Sequence, residues 1–310
     1  MTLRSYFGKN SFYKAAFSSA ICLTVSILML LFGAELKKGV TYGLELSVQN
    51  LIPTLFPFFI LSELWSKTFS VKDDGLLGKC FERLFKVNSS ALTAFLSGII
   101  CGFPLGVKTA VDLYDSDNIN KDELLHLCGF INNPSIAFVV FGVGAGLYNS
   151  VKYGIELYLC VVLSAIIIGL IFRGKEKKIC KSNDNSGQSF NLVKSIKNAG
   201  LLCIAVSSYV IFFSSLLFLI RALAHSDILI SIISPLFEVS TATRIIADNQ
   251  GGLCGSASML TAFALGFSGF SVHLQTFAIM PPEISRSKYI IMKLLQGLLT
   301  SILIIPLSHI

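Results

Sequence analysis

The chain has 310 residues, 53% of them hydrophobic and 14% charged, with a net charge of +7 and a mean hydropathy of +0.72. A soluble domain of this size carries about a quarter charged residues, so a globular protein with a solvated surface is excluded. Several apolar runs approach the ~20 residues that cross a bilayer core, and the composition points to an all-α polytopic membrane protein.

In chain order, residues 15–33 are apolar behind a basic start (Arg4, Lys9, Lys14) and read as an uncleaved first membrane helix. Residues 40–65 predict a second span that carries Gln49, Asn50, Pro53, Pro57 and Glu63. Residues 76–85 are short and amphipathic. Residues 89–114 are apolar but broken at "GFPLGVK", and residues 122–148 are broken at "NNPS". Residues 151–172 predict an ordinary span, and residues 173–189 a polar linker. The second half repeats the mixture: a span at 195–222, a short amphipathic piece at 228–237, an apolar run at 251–280 broken at "GFSGFSVHLQ", and a last helix at 287–307.

Matches between the halves suggest an internal duplication. "SVQN" at Ser47 lies against "SIKN" at Ser195, "LTAF" at Leu92 against "LTAF" at Leu260, and Gly102-Phe103 against Gly269-Phe270. Three regions are basic: the N-terminus, residues 67–86 (five Lys/Arg) and residues 173–197 (seven). The positive-inside rule puts all three in the cytoplasm. That holds if residues 89–114 dip in and return as a re-entrant hairpin, which is allowed where protein surrounds it. The same count makes residues 251–280 a second hairpin entering from outside and leaves both termini cytoplasmic. The expected architecture is two inverted-topology repeats. They comprise a tail and first helix (1–38), repeat 1 (39–172), a cytoplasmic linker (173–194) and repeat 2 (195–310). Such repeats characterise secondary transporters.

Three clusters could bind a solute. At the first tip are Gly102, Phe103, Pro104, Gly106 and Lys108; a half-helix starting near Pro104 offers free N–H groups and a positive dipole end to an anion. Lys108 pairs there either with a solute or, structurally, with Asp112 four residues on. Pro134 unwinds about a turn and exposes Asn132, Asn133 and Ser135, as a polar site or as amides that glue helices together. The third cluster is Ser268, Gly269, Ser271, His273 and Gln275, where His273 is either a relay or a structural histidine. No Asp or Glu lies in the expected hairpin cores. The eight cysteines form no C-x-x-C and no Cys/His cluster, so neither a disulfide framework nor a metal site is expected. Catalytic motifs are absent too: an enzyme is not expected, and no cofactor. The basic residues are topology signals rather than a nucleic-acid surface.

"NLIPTLFPFFILSEL", "SGIICGFPLGVK", "INNPS" and "ALGFSGFSVHLQ", in that order, resemble the YlbJ-type sporulation integral membrane proteins, part of the wider Gate family of nucleoside-recognition domain proteins. The resemblance covers residues 40–307. The family's first hairpin reads S-G-[YF]-P-x-G-A-K; Gly102, Phe103, Pro104, Gly106 and Lys108 match it, while Cys101 replaces the Ser and Val107 the Ala. The resemblance implies a nucleoside-transporter-like core and a role in endospore formation, in a membrane around the developing spore. The expected partners are the lipid bilayer and a small polar solute, anions included. Other sporulation membrane proteins and a second copy of the chain are further candidates. A non-transporting membrane scaffold or gating partner is the alternative function.

Overall fold

The structure is a computed structural model describing residues 9–68, 75–174, 192–253 and 255–307. Among the described residues all regular structure is helical. Five helical stretches are long and apolar enough to cross a membrane: Gly33–Leu61, Val151–Ile171, Leu192–Ala224, Ala257–Ile279 and Arg286–Ile304. The expected linker 173–194 lies largely outside the described residues.

The first helices are α1 (Lys9–Leu31), α2 (Gly33–Leu46) and α3 (Ile52–Thr68). A π turn, Ser47–Leu51, joins α2 to α3. It sits where Pro53 lacks the N–H that would bond the Gln49 carbonyl. Next, α4 (Leu76–Phe85) buries only part of the apolar face expected from sequence: Phe81 and Phe85 are buried, while Leu76, Leu77, Cys80 and Leu84 are exposed.

Two short helices follow, α5 (Ala91–Ile100) and α6 (Leu105–Asp115). They fold back on one another, because a Cβ on Gly106 would stand 2.6 Å from the Cα of Gly98. The tip of this hairpin is residues 101–104. Then α7 (Lys121–Ile131) begins with a capping box: Asn120 Oδ1 accepts from the N–H groups of Asp122 and Glu123, and Glu123 accepts from the Asn120 N–H. The chain leaves α7 at Asn132, runs unwound to Ser135 and re-enters helical turns, including a π segment at Phe138–Ala145 and α8 (Gly146–Tyr148). This is the expected break: Pro134 has no N–H to give the Phe130 carbonyl, which accepts instead from Asn133 Nδ2 at 2.7 Å. The long helix α9 (Val151–Ile171) closes the first half.

In the second half, α10 (Leu192–Ala224) packs on α2. The contact is close because Gly39 and Gly43 lack side chains; a Cβ on either would come within 3 Å of the Cα of Ser215 or Ile211. The remaining helices are α11 (Asp227–Phe237), α12 (Val239–Asp248), α13 (Ala257–Phe267), α14 (Gly269–Ile279) and α15 (Arg286–Ile304).

Here the structure departs from the sequence reading. Residues 251–280 are broken at Ser268-Gly269, as expected, but they do not fold back. Ser301 Oγ donates to the Met259 carbonyl, Gly266 meets Thr300, His273 meets Tyr289, and Arg286 stacks on Phe277. The pairing advances steadily, so α13 and α14 follow α15 in one direction as a kinked crossing. Tyr114, at the base of the first hairpin, donates to Glu283 in the turn after α14 at 3.2 Å. The turn 280–285 therefore lies on the same face as that base, where the expected second hairpin would have put it opposite. The physical reason is the kink itself. Ser268 (φ +76°) and Gly269 (φ +77°) are both left-handed, which bends the chain between α13 and α14 without reversing it. "LTAF" at Leu92 thus sits in a hairpin arm and "LTAF" at Leu260 in half of a crossing helix, so the two copies are not structural equivalents.

The pair that does fold back in the second half is α11 and α12. They pack on each other across a single extended residue, Glu238.

Candidate functional site

Four irregular points of the backbone meet in the interior: the tips at residues 101–104 and at Glu238, and the breaks at residues 132–135 and at Ser268-Gly269. Each tip is seated on one break. Gly102 (φ +76°) touches the first break; a Cβ there would stand 2.3 Å from the Ser135 nitrogen. The N–H of Phe103 donates to the Asn133 carbonyl at 2.8 Å. Gly269 touches the second tip, its Cβ position 3.0 Å from the Phe237 carbonyl carbon and 3.1 Å from the Glu238 nitrogen. Both glycines hold left-handed backbone that a side chain would strain.

A cavity lies where these points converge. Phe103 lines it from the first tip, Ser135 and Phe138 from the first break, Glu238 and Ser240 from the second tip, and Val272 and Gln275 from just beyond the second break. Leu51 and Leu55 around the π turn, with Val206 and Val210 of α10, close the remaining side. The space is narrow and admits only water-sized guests in this conformation.

Its polar lining is two hydroxyls, Ser135 and Ser240, and two groups that present acceptor oxygens, Glu238 and Gln275. Glu238 is buried, and its two carboxylate oxygens accept from the N–H groups of Ser240 (2.9 Å) and Thr241 (2.5 Å), capping α12. The protein thus places its own carboxyl group on this helix N-terminus, where an anionic solute would have to compete. Gln275 Nε2 leans on Ser271 Oγ at 3.4 Å, while its buried Oε1 has no partner. An unpaired buried carbonyl costs ~1–3 kcal/mol and will take a donor that arrives.

Behind the cavity, a polar network ties the two breaks to α15. Asn132 Nδ2 donates to Thr276 Oγ1 (2.9 Å) and Tyr289 Oη (2.6 Å). Thr276 gives its own proton to the Val272 carbonyl, and Tyr289 Oη shares a hydrogen bond with His273 Nδ1 at 3.0 Å. The other ring nitrogen, Nε2, is buried without a partner. Lys293 Nζ donates to the Asn132 carbonyl and to Gln296 Oε1, each at 2.7 Å, and Gln296 Nε2 donates to Asn133 Oδ1 at 2.7 Å.

Of the residues singled out from sequence, Phe103, Ser135 and Gln275 line the cavity, and Gly102, Asn133, Ser268 and Gly269 build the tip and break that shape it. Asn132 and His273 belong to the network behind it, and Ser271 only supports Gln275. Pro104 precedes the first residue of α6, and Gly106 serves the α5–α6 contact. Lys108 is exposed and does not line the cavity, because one turn into α6 its side chain already points away from the tip. Glu238 and Lys293 were missed. Each is the single charge in a long apolar stretch: Glu238 between Asp227 and Arg244, and Lys293 between Lys288 and the C-terminus. An ionisable residue in such a setting marks a candidate site.

Over 309 aligned residues the chain is 25% identical to the Sporulation integral membrane protein YlbJ of Bacillus subtilis (strain 168), covering 86% of this chain and 76% of that protein. The YlbJ-type resemblance is therefore shown. No protein-family model matches the chain, and no solved structure matches it. Together with the apolar helices, the similarity makes the chain an integral membrane protein. Among the described residues no group of His, Cys, Asp and Glu is arranged to hold a metal ion.

Proposed function

We propose that the chain is the core of a secondary transporter for a small polar solute and acts in spore formation, as the name of its Bacillus subtilis relative suggests. The observation that carries this is the convergence of two hairpin tips and two helix breaks on one cavity with a polar lining. Broken helices meeting at mid-depth are how inverted-repeat transporters build their sites.

The order of elements supports such a repeat, in a register other than the one read from sequence. The hairpin α5–α6, the broken crossing from α7 to α8 and the closing helix α9 correspond to the hairpin α11–α12, the broken crossing α13–α14 and the closing helix α15. With the first hairpin entering from the cytoplasm, α11–α12 enters from outside. The turn 280–285 is then cytoplasmic, with Arg286 and Lys288 beside it, and the C-terminal end of α15 is outside. The re-entrant elements are the pairs α5–α6 and α11–α12.

The lining favours a solute that brings hydrogen-bond donors or a positive charge, because Glu238 and Gln275 Oε1 are acceptors and no basic side chain joins them. The narrow cavity is the occluded form, and parting of a tip from its break would open it to one face. The same narrowness favours the alternative, a membrane scaffold that moves nothing.

A thermal-shift screen of the purified protein against cationic, neutral and anionic polar metabolites separates the two readings. The transporter reading expects a donor-bearing compound to raise the melting temperature, and expects Glu238→Gln or Gln275→Leu to weaken that rise. A screen without hits, or hits that both variants retain in full, would favour the scaffold.

A further inference from the structure

Lys293 is fully buried, yet no carboxylate lies within ion-pair distance of it among the described residues. Such a charge ordinarily demands a counter-charge or water. Its compensation here comes from neutral oxygens. One is the Asn132 main-chain carbonyl, freed because the chain unwinds beyond α7; another is Gln296 Oε1. The C-terminal end of α7 adds its negative half-dipole. Gln296 is held in place by its bond to Asn133 Oδ1, and Asn132 Oδ1 stands buried with no partner. An unwound carbonyl and a helix C-terminus are the groups with which broken-helix transporters coordinate Na+, and here side-chain amide oxygens join them.

We propose that the Lys293 ammonium is a resident cation that fills the carbonyl site opened by the break at residues 132–135. No metal ion is needed at that place, and taking the ammonium away uncovers a site for a small monovalent cation. Burial and hydrogen bonding alone define this site, whether or not a solute is moved.

The test is the melting temperature of purified Lys293→Ala in choline chloride, then with rising NaCl or methylammonium chloride at constant ionic strength. The variant should melt below wild type in choline and recover with either small cation, while wild type responds equally to all three salts. A folded Lys293→Ala whose response to the salts matches wild type overturns the proposal. If Lys293→Ala cannot be purified, Lys293→Met and Lys293→Arg decide. Met fills the space without a charge and Arg keeps the charge, so Arg should be recovered folded and Met should not. Recovery of the Met variant, or an Arg variant no better than Met, overturns the proposal.

Discussion

Gly102→Ala tests the seating of the first tip most sharply. The new methyl group would lie 2.3 Å from the Ser135 nitrogen, 2.9 Å from its Cα and 3.0 Å from the Pro134 carbonyl carbon. All three are backbone atoms, so no side-chain rotation relieves the overlap. The left-handed conformation adds about 1–2 kcal/mol for a residue with a Cβ, and overpacking costs a further ~1–3 kcal/mol. At ~2–4 °C per kcal/mol for chains approaching this size, the melting temperature should fall by roughly 4–20 °C. The assay is thermal unfolding in detergent, with Gly200→Ala as control. Gly200 has nothing within 4 Å of its Cβ position, so there alanine should be neutral or slightly stabilising, by up to ~1 kcal/mol for a helix interior. A Gly102→Ala protein that melts with wild type would mean that the tip does not rest on the break, and the cavity argument would lose its frame.

Further outcomes follow from other contacts. Glu238→Ala removes the cap on the Ser240 and Thr241 N–H groups and should cost about 1–2 kcal/mol, read as a lower melting temperature; an unchanged value would contradict the cap. Gly39→Leu drives a side chain into the Ser215 backbone, 2.7 Å from its first carbon, and should part α2 from α10, seen as loss of the folded monomer on size exclusion. Single cysteines at Ser116 and Glu283, in a variant lacking the native cysteines, should react with an impermeant thiol reagent from one face, and a cysteine at Asp248 from the other. Labelling of Glu283 together with Asp248 would restore the hairpin expected from sequence.

Much of this was legible in the chain. Pro134 beside two asparagines announces a break whatever surrounds it, because a missing N–H is a local fact. Gly102 and Gly269 stand at turns that need left-handed backbone. What could not be read was direction. A bend at Ser268-Gly269 and a reversal at residues 101–104 use similar residues, and only packing decides: Gly98 and Gly106 let α5 and α6 touch, whereas α13 spends its contact surface on α15. The two "LTAF" copies share composition but not role, one lying in α5 and the other in α13. The α11–α12 tip is a plain glutamate with no glycine beside it, and Pro235 lies within α11 rather than at the turn. Lys108 stands beside a glycine turn that marks it in the sequence, whereas Lys293 lies inside the apolar helix α15 with no turn residue next to it.

The central claim is that the cavity between tips and breaks can open to both sides of the membrane. Its most direct test is a single cysteine at Gln275, in a variant without the native cysteines, reconstituted in vesicles and treated with an impermeant methanethiosulfonate reagent from either face. The account predicts reaction from both faces, slowly and to completion, as the tips part in turn. Reaction from one face only, or from neither, would contradict it.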